Sequence, residues 1–444
     1  MNDNRAKRII ADRVLTGATA ANVGREAAVT IIDDAAVDIG DDGRVVAVGP
    51  AAEAGPGPAE VERFSGLIMP GLVNAHAHTP MTLVRSAGDG LPLQRWLQEA
   101  VWPREGKMTP EDAYWGMVLG SAEMLLAGVT SSCEMYLFEE AMVEAVAATG
   151  GRMVLTPGVI QALLPDGEVG ARIEEIAAFH AEHHRPDERI SVGFAPHSVY
   201  DLTPEQCGRI AAHATATGAL FHIHLEETQA ERALVIDRHG APATRLLADA
   251  GCFEARTIAA HGVWLDAEDR RILAEAGAAV VHCPQSNLKL GSGIAPVPEL
   301  LADGVRVCLG TDGVASNDSL DLWEELKLAP LLARGASTDP EAMGVATAVE
   351  LATRSGALAL GLDDVGHIAP GARADLIRID LDQPVFTPGV DLPTHLVFGG
   401  SARYVTDVWV DGRRVVAGGA LTTVDLSEAL TEVTARGRRL AESV

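Results

Sequence analysis

The sequence predicts an α/β fold: a closed TIM-type (β/α)8 barrel accompanied by a small β-sandwich domain built from both chain ends. Three observations predict it. Short apolar or β-branched runs recur eight times between residues 67 and 313, separated by Ala-, Leu- and Glu-rich stretches of helical period. Nearly every run ends in a polar group capable of chemistry. The chain on either side of them reads instead as short strands and turns.

The first run, LIMPGLVNAHAH (67–78), ends on two histidines spaced i, i+2, and residues so spaced on a strand share a face, so His76 and His78 point the same way. GVTSSCEMY (128–136) brings Glu134, while RMVLTPGV (152–159) brings nothing ionisable at Thr156 and Pro157. ISVGFAPHSVY (190–200) brings His197, and ALFHIHLEE (219–227) brings His224 with Glu227. TIAAHGVW (257–264), AAVVHCPQ (278–285) and VRVCLGTDG (305–313) bring His261, His282 and Asp312. Seven of the fourteen histidines fall in these runs, and the C-terminal strand ends are where a barrel of this kind carries its active site. In the flanks, VTIIDDAAVDIGDDGRVVAVG at the front and ADLIRID and VTDVWVDGRRVVAGG at the back read as strands joined by turns. The expected division is residues 1–66 for the first part of the sandwich, 67–369 for the barrel, and 370–444 for the rest of the sandwich with a terminal helix.

Composition narrows the function. Hydrophobic residues make up 47% and charged residues 22% of the 444, as in an ordinary globular protein. A formal charge of −27 opposes binding to nucleic-acid backbones, which requires clustered Lys and Arg. No apolar run approaches the roughly 18 residues of a membrane span, and MNDNRAKRIIADRV lacks the apolar core of a signal peptide; a cytoplasmic protein with no membrane partner is expected. The five cysteines are scattered without a C-x-x-C pair, and neither a phosphate-binding G-x-x-x-x-G-K-[ST] loop nor a G-x-S-x-G nucleophile turn is present.

A catalytic zinc-type site takes three or more nitrogen or oxygen ligands and leaves a position open for water. His76, His78, His224 and Asp312 supply such a set. His222 shares a face with His224, but His224 lies nearer the strand end and is preferred. None of the four lysines (Lys7, Lys107, Lys289, Lys327) ends a strand, so a carboxylated lysine bridging two metals is not expected and a single ion is. Such an ion acidifies water, and the chemistry then needs a general acid/base close by. Glu227, three residues past His224, fits that role; by itself it reads equally as a carboxylate at a helix N-terminus.

The series PGLVNAHAHTPM, APHSVY, HIHLEET, TIAAHGVWL, SNLKLGSGIAP and LGTDGVASND resembles the amidohydrolase superfamily, in particular its 5′-methylthioadenosine/S-adenosylhomocysteine deaminases and their chlorohydrolase relatives, from about residue 8 to 425. The resemblance implies a hydrolytic deaminase with one divalent metal per subunit, zinc or alternatively iron, acting on a nucleoside-like small molecule, and a homo-oligomer. It implies that His76, His78, His224 and Asp312 hold the metal and that Glu227 moves the proton from water to the purine ring. His261 would stabilise the intermediate, and Asp312 would carry a proton to the leaving ammonia. For the substrate it points to Trp96 and Glu105 in LQRWLQEAVWPRE, to His197, Glu227 and Ser316. Relatives that take S-adenosylhomocysteine carry an arginine after the third strand. Here Pro157 stands there, with Arg172 the residue that could replace it. The alternatives are a triazine-type chlorohydrolase or a guanine-like base deaminase on the same scaffold, and a non-catalytic barrel.

Overall fold

The computed structural model describes residues 6–19, 28–165 and 168–444; the first five residues of the N-terminal stretch lie outside them. The eight runs become barrel strands in order. Leu72–His78, Val129–Glu134, Arg152–Leu155 and Ile190–Val192 pair in parallel, and so do Leu220–Leu225, Arg256–His261, Ala279–His282 and Arg306–Leu309. The two arcs meet at a parallel bridge between Phe194 and Phe221 on one side. On the other they meet through the short strand Asp312–Gly313, which pairs with Ala77 and His78.

The barrel is closed but uneven, for local reasons. Pro157 has no N–H to give a ladder, so its strand stops at Leu155 and resumes as Gly158–Val159, paired with Ala195–Pro196. Gly193 passes so close to its neighbour that a Cβ there would lie 2.5 Å from the carbonyl oxygen of Leu220. Four of the intervening helices begin at Thr109, Thr203, Thr228 and Asp266. Each of these side chains accepts the amide three residues on, and the backbone amide of the same residue donates in return to the side chain of Asp112, Gln206, Glu231 or Asp269.

Both chain ends contribute to one eight-stranded mixed sheet. Its order is Ala420–Leu421, Arg413–Ala417, Val405–Val410, Leu376–Ile379, Glu60–Pro70, Lys7–Thr19, Ala28–Ile39 and Val45–Pro50. Leu67 to Pro70, read with the first barrel run, belong to this sheet, and the barrel strand proper starts at Leu72. Ile9, Val14, Ile39, Ile68, Leu376 and Trp409 form a buried cluster within it. Sheet and barrel are joined by buried charge: Arg152, at the start of its barrel strand, meets Asp375 (Nε to Oδ2, 2.8 Å) and Asp411 (Nη2 to Oδ1, 2.6 Å). Arg373 adds bonds to Asp411 (2.9 Å) and Asp364 (3.1 Å). The last helix, Leu426–Glu442, is tied to helix Pro110–Leu126 by Arg436 and Arg439, both on Asp112. No helix among the described residues is long and apolar enough to cross a membrane.

Candidate active site

The strand ends bring His76, His78, His224 and Asp312 together, with one ligand atom from each lying within 4.8 Å of all the others. All four are buried. Asp312 Oδ1 is 3.2 Å from Nε2 of both His76 and His78, and the Nε2 atoms of His78 and His224 are 3.2 Å apart. The far side of each ring explains what these nitrogens are. Nδ1 of His78 lies 2.5 Å from the carbonyl oxygen of Met135, and Nδ1 of His224 lies 2.8 Å from that of His197. A carbonyl only accepts, so both Nδ1 atoms carry a proton, and in the neutral rings both Nε2 atoms face each other as lone pairs. His76 Nε2 is buried and makes no hydrogen bond. Lone pairs and a carboxylate crowded in this way repel unless a cation sits among them, and three imidazoles with one carboxylate make a zinc-type donor set. A single divalent ion fits these residues. Lys289 bonds Asp318 and the carbonyl of Ala315, outside the cluster.

Two of the site residues hold backbone conformations that side chains rarely adopt: His261 has φ of 74° and Asp312 of 62°. Each costs about 1–3 kcal/mol, which the surrounding structure must supply. At Asp312 the support is visible. Its Oδ2 accepts from the hydroxyls of Ser286 (2.5 Å) and Ser316 (3.0 Å), whose oxygens lie 2.9 Å apart. Ser316 therefore sits behind the aspartate and is not among the residues that line the cavity. At His261, Nδ1 lies 2.8 Å from Asn287 Oδ1 and Nε2 faces Glu227 Oε2 at 3.8 Å.

The helix-cap alternative for Glu227 is answered by its neighbours. Thr228 caps helix Gln229–His239, and Glu231 returns the bond and also accepts from the amide of Glu227 (2.8 Å). With the capping work done elsewhere, the Glu227 side chain turns into the cavity, where Ser292 Oγ donates to its Oε1 at 3.3 Å. Burial pushes its carboxyl above the ordinary range, against the opposing pull of His261. A buried carboxyl tuned upward is suited to taking and returning a proton.

The cavity above the cluster has the mixed lining of a small-molecule site. His78, His224, His261, Glu227 and Asp312 form its floor; Met81, Leu93, Leu97, Ile160 and Leu290 give apolar wall. Trp96 lines it with its indole nitrogen tied to the carbonyl of Ala87 (2.9 Å), which leaves the ring as an apolar surface. Glu105 lines it too, accepts from the Tyr136 hydroxyl at 2.8 Å, and is raised by burial. His197 is on the wall, and burial lowers its pKa to about 3, so it is a neutral ring. Arg172 is not on the wall: it lies on helix Val169–His183 and is bonded to Glu139 and, at 3.5 Å, to Glu175. Beyond Trp102 and Tyr200 the cavity adjoins a polar groove that includes Arg209 and Arg238.

Met135, Tyr136, Asn287, Ser292 and Ser286 were not picked out from the sequence. Asn287 and Ser292 stand within SNLKLGSG, and that motif was the available signal. His222, passed over in favour of His224, lies one layer below the cluster. Glu134 is spent on the first loop, accepting from the amide (3.0 Å) and hydroxyl (2.8 Å) of Thr79.

Residues 67–415 match the model of the amidohydrolase family. The chain is 40% identical over 411 residues to a 5-methylthioadenosine/S-adenosylhomocysteine deaminase of Moorella thermoacetica, covering 91% of this chain and 95% of that one. It is 38% identical over 387 residues to a 5′-deoxyadenosine deaminase of Methanothermobacter thermautotrophicus, covering 87% and 90%. Among solved structures it is similar to an adenosine deaminase from Xanthomonas campestris with bound zinc, with a TM-score of 0.90, 33% identity and full coverage of both chains. It is also similar to an atrazine chlorohydrolase from Arthrobacter aurescens in complex with zinc, with a TM-score of 0.86, 25% identity, and coverage of 97% and 100%.

Proposed function

The chain belongs to the amidohydrolase family, and from that premise we propose that it is a metal-dependent deaminase that releases ammonia from the 6-amino group of an adenine nucleoside. One observation carries the reading: Glu227 and His261 face each other on the floor of the same cavity that His78, His224 and Asp312 of the four-residue cluster also line. His76, His78, His224 and Asp312 would hold a divalent ion, which would make hydroxide available at neutral pH. Glu227 would take a proton from the attacking water and deliver it to the ring nitrogen next to C6, so that the ring accepts the electrons as oxygen adds to carbon. His261 Nε2 holds the attacking oxygen on the side opposite Glu227, its ring fixed from behind by Asn287. Asp312 carries the second proton to the amino group, the C6–N bond breaks, and a 6-oxo purine and ammonia leave.

The upper cavity fits a nucleoside. Glu105, on the cavity wall, is read as the acceptor of a ribose diol's hydroxyls, and Trp96 as its flat apolar face. The 5′ substituent is read as neutral, because Pro157 removes one cation and Arg172 is engaged by Glu139 and Glu175. The test is ammonia release from adenosine, 5′-methylthioadenosine, S-adenosylhomocysteine, guanine and a chlorinated triazine, with chloride followed for the last. Adenosine or 5′-methylthioadenosine should give the highest kcat/KM. S-Adenosylhomocysteine as the best substrate would overturn the neutral tail and move it into the groove of Arg209 and Arg238. Turnover of guanine or triazine alone would overturn the nucleoside.

A further inference from the structure

Each histidine of the site presents Nε2 to the centre because something behind it holds Nδ1. For His78 and His224 the holder is a backbone carbonyl, and for His261 it is the Asn287 amide oxygen. These oxygens only accept, so the position of the ring proton is settled by chemistry. His76 is the exception. Its Nδ1 meets Nε2 of another imidazole, that of His222, at 2.8 Å, and an imidazole nitrogen can donate or accept. If His222 carries its proton on Nε2 and donates it, the proton of His76 is forced onto Nε2, where it blocks the lone pair a metal needs. For His76 to be a ligand, His222 must carry its proton on Nδ1.

The structure provides a reason for it to do so. Thr156 Oγ1 lies 2.9 Å from His222 Nδ1 and also 2.9 Å from the carbonyl oxygen of Glu134. The hydroxyl has one proton, and the carbonyl can only accept it, so Thr156 turns a lone pair towards His222. Cys133 Sγ, at 3.7 Å from the same nitrogen, is the other neighbour and a weak acceptor. All of these groups are buried, so no water competes. We propose that Thr156 and His222 are positioning residues that order protons from the Glu134 carbonyl through two side chains, and thereby hold His76 in the form that leaves Nε2 free for the metal. The proposal rests on the metal assignment and not on the identity of the substrate, so a failed substrate screen leaves it standing.

The test is zinc affinity, measured by chelator competition, together with the melting temperature of the metal-free protein. Thr156→Val removes the accepting oxygen with almost no change of shape and should weaken zinc binding roughly 10- to 100-fold, the range for lost support behind a ligand, while the metal-free melting temperature stays near that of the parent. Thr156→Ser keeps the oxygen and should restore parental affinity. If the valine variant does not fold, Thr156→Ala removes the same oxygen and is read in the same way. In a His222→Phe background, Thr156→Val should have no further effect, because the chain is already cut. Parental zinc affinity in Thr156→Val would overturn the proposal. So would a full additional loss in the His222→Phe background, or a loss of affinity matched by an equal destabilisation of the metal-free protein.

Discussion

The two ends of the strand Arg152–Leu155 bury polar groups on opposite terms. At its start, Arg152 is surrounded by Asp375 and Asp411, Arg373 is added to the same group, and charge meets charge within the chain itself. Just past its other end, Thr156 sits behind a cluster in which three imidazole lone pairs and a carboxylate face one another with nothing of opposite sign among them. A buried polar group whose complement is present in the chain contributes to holding the fold; one whose complement is missing marks where something else must bind. The contrast agrees with the general division of such barrels, in which the C-terminal face carries chemistry and the opposite face stability.

The largest effect should come from the incomplete end. Glu227→Gln should lower kcat by about 10²- to 10⁴-fold, the usual range for a lost general acid/base, with zinc content and unfolding midpoint unchanged. A variant within a factor of a few of the parent would remove Glu227 from the proton path. At the complete end, Arg152→Met should do the reverse. It takes the guanidinium away from the buried carboxylate of Asp375, while Arg373 still reaches Asp411, and should destabilise by about 3–5 kcal/mol in urea unfolding, while kcat per folded molecule stays near the parent value. A large loss of kcat in the folded fraction would break the separation of the two ends.

A smaller effect lies on the flank of the barrel and tests whether acid sensitivity belongs to either end. His180 is stacked between His184 and Phe194, and burial, aided by His184, lowers its pKa from 6.5 to about 4. Above pH 6.5 neither folded nor unfolded chain holds this proton. Between 6.5 and 4 the unfolded chain takes it up first, so stability falls as pH falls and levels off below about 4. His180→Phe should show a smaller difference in urea midpoint between pH 7 and pH 5 than the parent does; an unchanged difference would place the acid sensitivity elsewhere. Smallest of all, Arg172→Ala should change kcat/KM for S-adenosylhomocysteine by less than about twofold and stability by no more than about 1 kcal/mol, as for a peripheral ion pair. A selective loss on that substrate would bring Arg172 into the site.

The i, i+2 spacing of His76 and His78 and the recurrence of polar groups at strand ends are periodic facts, so the fold and the four-residue cluster were legible before any coordinates. Depth was not. His222 and His224 share a face, as alternation requires, but alternation does not say which of them stands at the rim and which one layer below it. Nor does a linear reading show which group has already been claimed. The sequence offers Arg172 as the cation for a substrate tail and Ser316 as a substrate contact, whereas helix Val169–His183 sets Arg172 against Glu139 and the Ser316 hydroxyl bonds Asp312. Leu67 to Pro70 continue the apolar run without a break, and only the pairing of Leu67 with Ile379 shows that the chain is still in the other sheet.

The closure between the last and first strands is also a mechanical joint. Arg306–Leu309 ends before the rim, and the chain reaches the first strand only through the two residues Asp312 and Gly313, with Asn74 accepting the amide of Thr311 just below. This is the barrel's seam, and it is stitched by few backbone bonds. His76 and His78 stand on one lip of it and Asp312 on the other. An ion held by all three would therefore also be a clasp across one of the two lines where the strand arcs meet. Stripping it should quicken amide exchange first along residues 310–313, before the rest of the barrel responds.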